Sequence, residues 1–207
     1  MEETLSPKQK RDWWLVFISL VIVFTLAYAQ SPLFTSNQNQ YFFYGMAKAG
    51  FGDLDQDWLY STTDIVPIFS FLVHLTYAIF QVTWVFYLWY AAIFGIYLFA
   101  MYGIIAHVFQ WKQTVNNLLI FGTIAVLLHS AALRYGISNL ISPEWEFLLE
   151  GGVAGQRVLG DVFQPSSFGV LFFLSIYLFL KGKPYWATVI SALAARSEEH
   201  TSELQSL

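Results

Sequence analysis

From Val82 to Phe109 the chain runs without a single Asp, Glu, Lys or Arg, and this limits the solvents in which it can fold. A helix that long rises about 40 Å at about 1.5 Å per residue, more than the roughly 30 Å hydrocarbon core of a bilayer. Charge is scarce elsewhere too: 12% of the 207 residues are charged and 57% are hydrophobic, whereas soluble domains carry about 25% charged residues. The charges that exist fall in a few clusters between long uncharged stretches. A surface coated for water is therefore excluded, and the reading is an all-α, multi-pass transmembrane bundle, because helices satisfy their own backbone groups in lipid. The chain has no cysteine, which excludes disulfide-stapled loops and thiolate metal sites. Ten Lys and Arg against fourteen Asp and Glu leave no basic surface for nucleic acid.

One segment stands apart from fold reasoning. The string from Arg196 to Ser206 breaks an apolar run in mid-helix and resembles the in-frame translation of a sequencing adapter. On that reading His200 and the glutamates around it carry no function, the native protein continues past Ala195, and residues 196–207 are set aside. Without their one positive and three negative charges the formal net charge moves from −4 to −2.

The remaining chain divides by charge-free length. Spans are expected at about 13–29, 82–109, 118–133, 162–180 and 184–195, the last incomplete. Lys8, Lys10 and Arg11 precede the first span and place the N-terminus in the cytoplasm. Ala27-Tyr28-Ala29 also fits a signal-peptidase site; both versions deliver Gln30 to the outside. Gln30 to Asp64 is a polar outer loop, with a short interfacial helix expected from about Asn39 to Ala49, where Tyr and Phe sit well. A second outer loop is expected from Tyr135 to about Pro165.

Ile65 to Phe80 is barely long enough to cross and carries His74. Read as a juxtamembrane or re-entrant helix, it leaves six native basic residues inside (Lys8, Lys10, Arg11, Lys112, Lys181, Lys183) and three outside (Lys48, Arg134, Arg157). Read as a crossing helix, it gives five and four. The positive-inside rule favours the first, which puts both polar loops on one face.

Chemistry is available in few places. Asp53, Asp55, Asp57 and Asp64 fall at places 1, 3, 5 and 12 of a calcium-loop pattern, but Trp58 occupies the position that needs glycine and Asp64 replaces the bidentate Glu. The same carboxylates can hold a divalent cation through oxygen, act as a general base, or cap turns. His74, His107 and His129 each lie in apolar surroundings, a setting that fits hydrogen-bonded structural histidines. His129-Ser130 lies close to Arg134, and polar groups in membrane helices face a bundle interior or a cavity. Arg134 and Arg157 share the aspartates' side, where they either hold a lipid phosphate or snorkel to the interface. Pro165 suits the first turn of the helix after it. No Gly-rich phosphate loop, HExxH or nucleophile motif occurs.

The layout of Asn37-Gln38-Asn39-Gln40-Tyr41, Ala47, Gly50, Asp57-Trp58 and Pro67 after a first span resembles the start of the GT-C superfamily of membrane glycosyltransferases over residues 10–110. Asn37 to Ser70 and Phe163-Gln-Pro-Ser-Ser-Phe-Gly169 also resemble bacterial multi-pass proteins with no assigned activity. The first resemblance implies sugar transfer from a polyprenyl-phosphate carrier on the outer face of a bacterial inner membrane, with a first-loop carboxylate as base. It further implies substrate contacts from Asn37, Gln38 and Tyr41, and from Arg134 or Arg157 to the phosphate. Those enzymes carry Asp-Glu where this chain has the amides Asn37 and Gln38, which cannot serve as a base near neutral pH. The role then moves to Asp53, Asp55 or Asp57, with Asp57 chosen for its place beside Trp58 and nearest Pro67. The alternative is a membrane scaffold or transporter, against which the confinement of acids to loops argues mildly.

Overall fold

The computed structural model describes residues 6–35, 38–141, 158–160 and 162–197. Every regular element among them is helical: α1 (Pro7–Tyr28), α2 (Gln38–Lys48), two 3-10 turns (Leu54–Gln56 and Trp58–Ser61), α3 (Pro67–Phe80) and α4 (Val85–Val108). After these come α5 (Val115–His129), α6 (Ala131–Leu140), a 3-10 turn (Pro165–Gly169), α7 (Val170–Leu180) and α8 (Pro184–Ala195). Of these, α1 and α4 are long and apolar enough to cross a membrane, and the bent pair α5–α6 makes a third if it counts as one span.

Local chemistry sets the ends of α1. Ser6 accepts from the Gln9 amide at 3.3 Å while Gln9 Oε1 accepts from the Ser6 amide at 2.8 Å, a reciprocal cap reinforced by Pro7 in the first turn. The helix stops where Ala29 turns left-handed, with φ 55°. One stripe, Trp13, Phe17, Phe24 and Tyr28, is buried, yet Trp14, Leu15, Ile18, Ile22, Val23 and Leu26 on the other faces are at least half exposed. A helix apolar on every side requires an apolar surround, which is the physical basis for reading α1 as a membrane helix.

Aromatic contacts fix the helix directions. Trp13 meets Tyr102 with ring centroids 6.0 Å apart, and Phe24 meets Phe94 at 5.3 Å, so α1 and α4 are antiparallel. The Tyr102–Phe121 and Tyr97–His129 pairs make α5 antiparallel to α4. Those of Tyr97 with Phe173 and Phe99 with Tyr177 make α7 parallel to it. Close approach is possible where glycine removes a side chain: a Cβ on Gly122 would lie 2.4 Å from Leu20, and one on Gly103 2.3 Å from Tyr177. Helices α7 and α8 form a hairpin joined by Ser175 Oγ, which donates to the Ala187 carbonyl at 2.8 Å and lies 2.8 Å from Ser191 Oγ, the small-residue packing typical of helices in lipid.

These directions give the bundle two unlike ends. Lys8, Lys10 and Arg11 begin α1, Lys112 follows α4, and Lys181 and Lys183 flank the turn after α7, all at one end. At the other end lie the close of α1, the start of α4, α2, α3 and residues 158–160 and 162–169. The Leu33 amide donates to Tyr87 Oη at 3.1 Å, so α4 starts where α1 finishes. Between them α2 and α3 form a hairpin under which Phe42 packs on Phe69 at 5.5 Å and on Phe86 at 4.8 Å.

The third apolar run differs from its expected form. Instead of one helix over 118–133 followed by a loop from Tyr135, the chain breaks at Ser130, bends by 48° and continues helical to Leu140. Ser130 causes the break: it is extended, with ψ 142°, and its Oγ accepts from the Leu133 amide at 3.2 Å while donating to the Leu127 carbonyl at 2.9 Å. One hydroxyl thereby caps both helices.

Candidate functional site

Two groups of polar side chains, hung from different elements, lie at the end opposite the basic cluster. The first is a buried clasp. Arg134, on the first turn of α6, is only 1% exposed; its Nη2 donates to the Tyr28 carbonyl at 2.8 Å, and its guanidinium stacks 4.1 Å above the Tyr28 ring centre. Both are strong in a low-dielectric site. Tyr28 Oη in turn donates to the Leu159 carbonyl, and Tyr90 Oη, from α4, to the Gly160 carbonyl. Gln38, also 1% exposed, donates from Nε2 to the Phe163 carbonyl at 2.8 Å and accepts at Oε1 from the Phe34 amide at 2.7 Å. Three side chains, Tyr28 from α1, Gln38 from α2 and Tyr90 from α4, thus hold Leu159, Gly160 and Phe163 against the bundle, with Arg134 from α6 bracing Tyr28. Phe163 seals the joint, packing on Phe69, Phe86 and Tyr90.

The second group is the acidic turn between α2 and α3. Asp53, Asp55 and Asp57 are all exposed. Asp53 precedes the first 3-10 turn without a side-chain cap bond, and Asp55 sits within that turn. Asp57 caps the second, its Oδ1 accepting from the Leu59 amide at 2.9 Å. Tyr44, from α2, braces this segment by donating to the Leu59 carbonyl at 3.0 Å and by bonding with Thr62. The most enclosed acid is Asp64, with 14% of its side chain exposed. It accepts from Ser70 Oγ at 2.9 Å and from the Val66 amide at 3.2 Å, and it pairs with Lys48 Nζ at 3.4 Å.

Among the residues singled out by sequence, Gln38 and Arg134 therefore belong to the clasp, with their polar atoms turned to backbone carbonyls and amides. Tyr41 is buried on α2, within the aromatic core. The three aspartates share one exposed segment, while Asn37 and Arg157 lie outside the described residues. No three His, Asp or Glu side chains among the described residues converge as metal ligands; the calcium-loop positions do not close around a common point. His129 is held on both nitrogens, with Nδ1 2.9 Å from the Ala125 carbonyl and Nε2 3.0 Å from Tyr97 Oη. Because a carbonyl only accepts, Nδ1 carries the proton, and in the neutral ring Nε2 accepts from the tyrosine. His74 keeps a buried Nδ1 without a hydrogen bond among the described residues, and His107 lies near the end of α4.

Tyr28, Tyr90 and Asp64 are the participants that sequence reasoning passed over or used only as a pattern position. A phenol inside an apolar run is itself a signal, because a buried hydroxyl needs a partner. Nothing in the sequence specifies that the partner lies 131 residues away for Tyr28 and 70 for Tyr90. No family model, curated protein or solved structure matches the chain.

Proposed function

We propose that the protein is a GT-C-like integral membrane protein that transfers a sugar from a polyprenyl-phosphate-linked donor on the outer face of a bacterial inner membrane, with Asp57 as the base. The observation that carries this reading is the joining of the described parts of the two polar segments, residues 30–35 and 38–64 with residues 158–160 and 162–164, at one end of the bundle through Gln38, Tyr28 and Tyr90. The six basic residues at the opposite end make that end cytoplasmic by the positive-inside rule, which turns the clasp and the acidic turn outward. Asp57 Oδ1 is engaged by the Leu59 amide, which leaves Oδ2 to take a proton from an acceptor hydroxyl. The lipid phosphate then falls to Arg157, with Arg134 acting through the clasp to position the second loop.

Asp57→Asn keeps the cap acceptor and removes the base. In membranes containing the full chain and supplied with a polyprenyl-phosphate hexose, transfer to glycolipid should fall by about 100-fold or more; undiminished transfer removes Asp57 from the mechanism. A second reading, a non-catalytic membrane scaffold, draws on the same geometry, since Gln38 and Arg134 spend their polar groups on backbone partners. It predicts no transfer by either protein.

A further inference from the structure

Helix α3 is inside out for a helix that meets water. Its exposed positions, Pro67, Phe71, Leu75, Ala78, Ile79 and Phe80, carry no polar side chain, and Phe71 and Ile79 are each 61% exposed. Its small polar residues turn inward instead. Ser70 Oγ donates to Asp64 at 2.9 Å, and Thr76 Oγ1 donates to the Leu72 carbonyl at 2.7 Å while accepting from Trp89 Nε1 at 3.0 Å. His74 is half-buried at the margin of the exposed stripe. A helix with hydroxyls inside and only apolar groups outside requires an apolar surround. The stripe also continues through Val82 and Trp84 to Leu88, exposed apolar residues at the start of α4, a helix long and apolar enough to cross a membrane.

Crossing is closed to α3 itself. Its 14 residues rise about 21 Å, short of the roughly 30 Å hydrocarbon core. Both of its ends are polar: Asp64 pairs with Lys48 before the helix, and Gln81 and Thr83 are exposed after it. Its packing agrees. Near one end, the Phe69 ring lies 5.2 Å from Phe163, which in turn lies 5.8 Å from Tyr90. Near the other, Tyr77 lies 5.5 Å from Phe86 and Thr76 bonds to Trp89. These contacts spread over about 12 Å of α3 but only about 6 Å of α4, so α3 crosses the start of α4 instead of lying along it.

We propose that α3 lies in the plane of the membrane, in the leaflet at the acidic end of the bundle, with Phe71, Leu75 and Ile79 on the upper acyl chains. The acidic turn is tied to this helix by Lys48–Asp64 and by Tyr44 with Thr62, and it carries the exposed Phe51 and Trp58, aromatics suited to the interface. It is thereby held at headgroup depth. The placement is independent of the sugar-transfer reading, since it rests on α3 and its neighbours alone.

The test places a fluorescent nitrobenzoxadiazole label on Phe71→Cys, Ile79→Cys or Asp55→Cys of the full chain. Each variant is reconstituted in dioleoyl phosphatidylcholine vesicles. Quenching is read with aqueous iodide and with phosphatidylcholines carrying a nitroxide on the headgroup, near the top of one acyl chain, or near its methyl end. At positions 71 and 79 the upper-chain nitroxide should quench at least about twofold more strongly than the methyl-end one, because the apolar face of an interfacial helix sits only about 5–10 Å deep. The two positions should give the same ratio. Ratios that differ would mean a helix inserted end-on, with its labels about 12 Å apart in depth, and would overturn the in-plane claim. Iodide quenching at 71 and 79 as strong as at 55 would place the stripe in water. Protection from iodide and from every nitroxide would mean that a second copy or another protein surface covers it. Either result overturns the proposal. The label at 55 should be quenched by iodide and by the headgroup nitroxide; no effect of the latter would detach the acidic turn from the membrane and overturn its assigned depth.

Discussion

At the scale of single residues, the decisive property is how completely a polar side chain is satisfied once water is gone. Gln38 illustrates this: its amide both accepts from the Phe34 amide and donates to the Phe163 carbonyl, which a carboxylate at the same place could not do. An amide at position 38 thus meets both of the clasp's needs there. Gln38→Ala leaves a buried donor and a buried acceptor unmatched, and at about 1–3 kcal/mol apiece should destabilise the protein by about 2–6 kcal/mol in a reversible detergent unfolding titration. A loss below about 0.5 kcal/mol would mean that the two loops are joined by other contacts. The amide's identity was legible at position 38, but its orientation was not, since both partners are backbone groups delivered by the fold.

At the scale of elements, small residues decide how near two helices come. Gly45 on α2 faces α3 so closely that an added Cβ would lie 2.5 Å from Val73 Cβ and 2.6 Å from the Ser70 carbonyl oxygen, and neither can move without shifting α3. Gly136 on α6 meets nothing within 4 Å. The two glycines therefore make opposite predictions for the same substitution. Gly45→Ala should cost about 1–3 kcal/mol through overpacking. Gly136→Ala should stabilise by up to about 1 kcal/mol, because alanine restricts the unfolded chain and favours helix. Melting temperatures of the pair, measured side by side, would expose an error in the α2–α3 packing if their order reversed. The helices themselves were readable from apolar length: the run 82–109 forms α4, and the stretch 39–49 forms α2 with its bounds moved by one residue. The break at Ser130 was not, because leucines and alanines continue on both sides of it and only the serine's extended backbone interrupts the ladder.

At the scale of the whole molecule, the asymmetry of charge is the feature that most directly sets orientation in a membrane. Cysteine is absent from the chain, so single cysteines report topology without background. Asp55→Cys should react with an impermeant maleimide from one side of sealed vesicles, and Lys183→Cys only after they are opened or inverted. Labelling of both from the same side would dissolve the two-ended arrangement and with it the outward placement of the acidic turn. Sequence by itself determined that the chain is helical and too apolar for a water-facing shell, because both follow from local composition and from the backbone's need for internal hydrogen bonds. It also located the acids and bases along the chain. Only the tertiary structure decided that α1 and α4 run antiparallel, that Arg134 lies under Tyr28, and that Trp13 and Tyr102 meet. Those facts depend on contacts between residues about 70 or more apart in sequence, for which no local pattern of hydrophobicity carries a record.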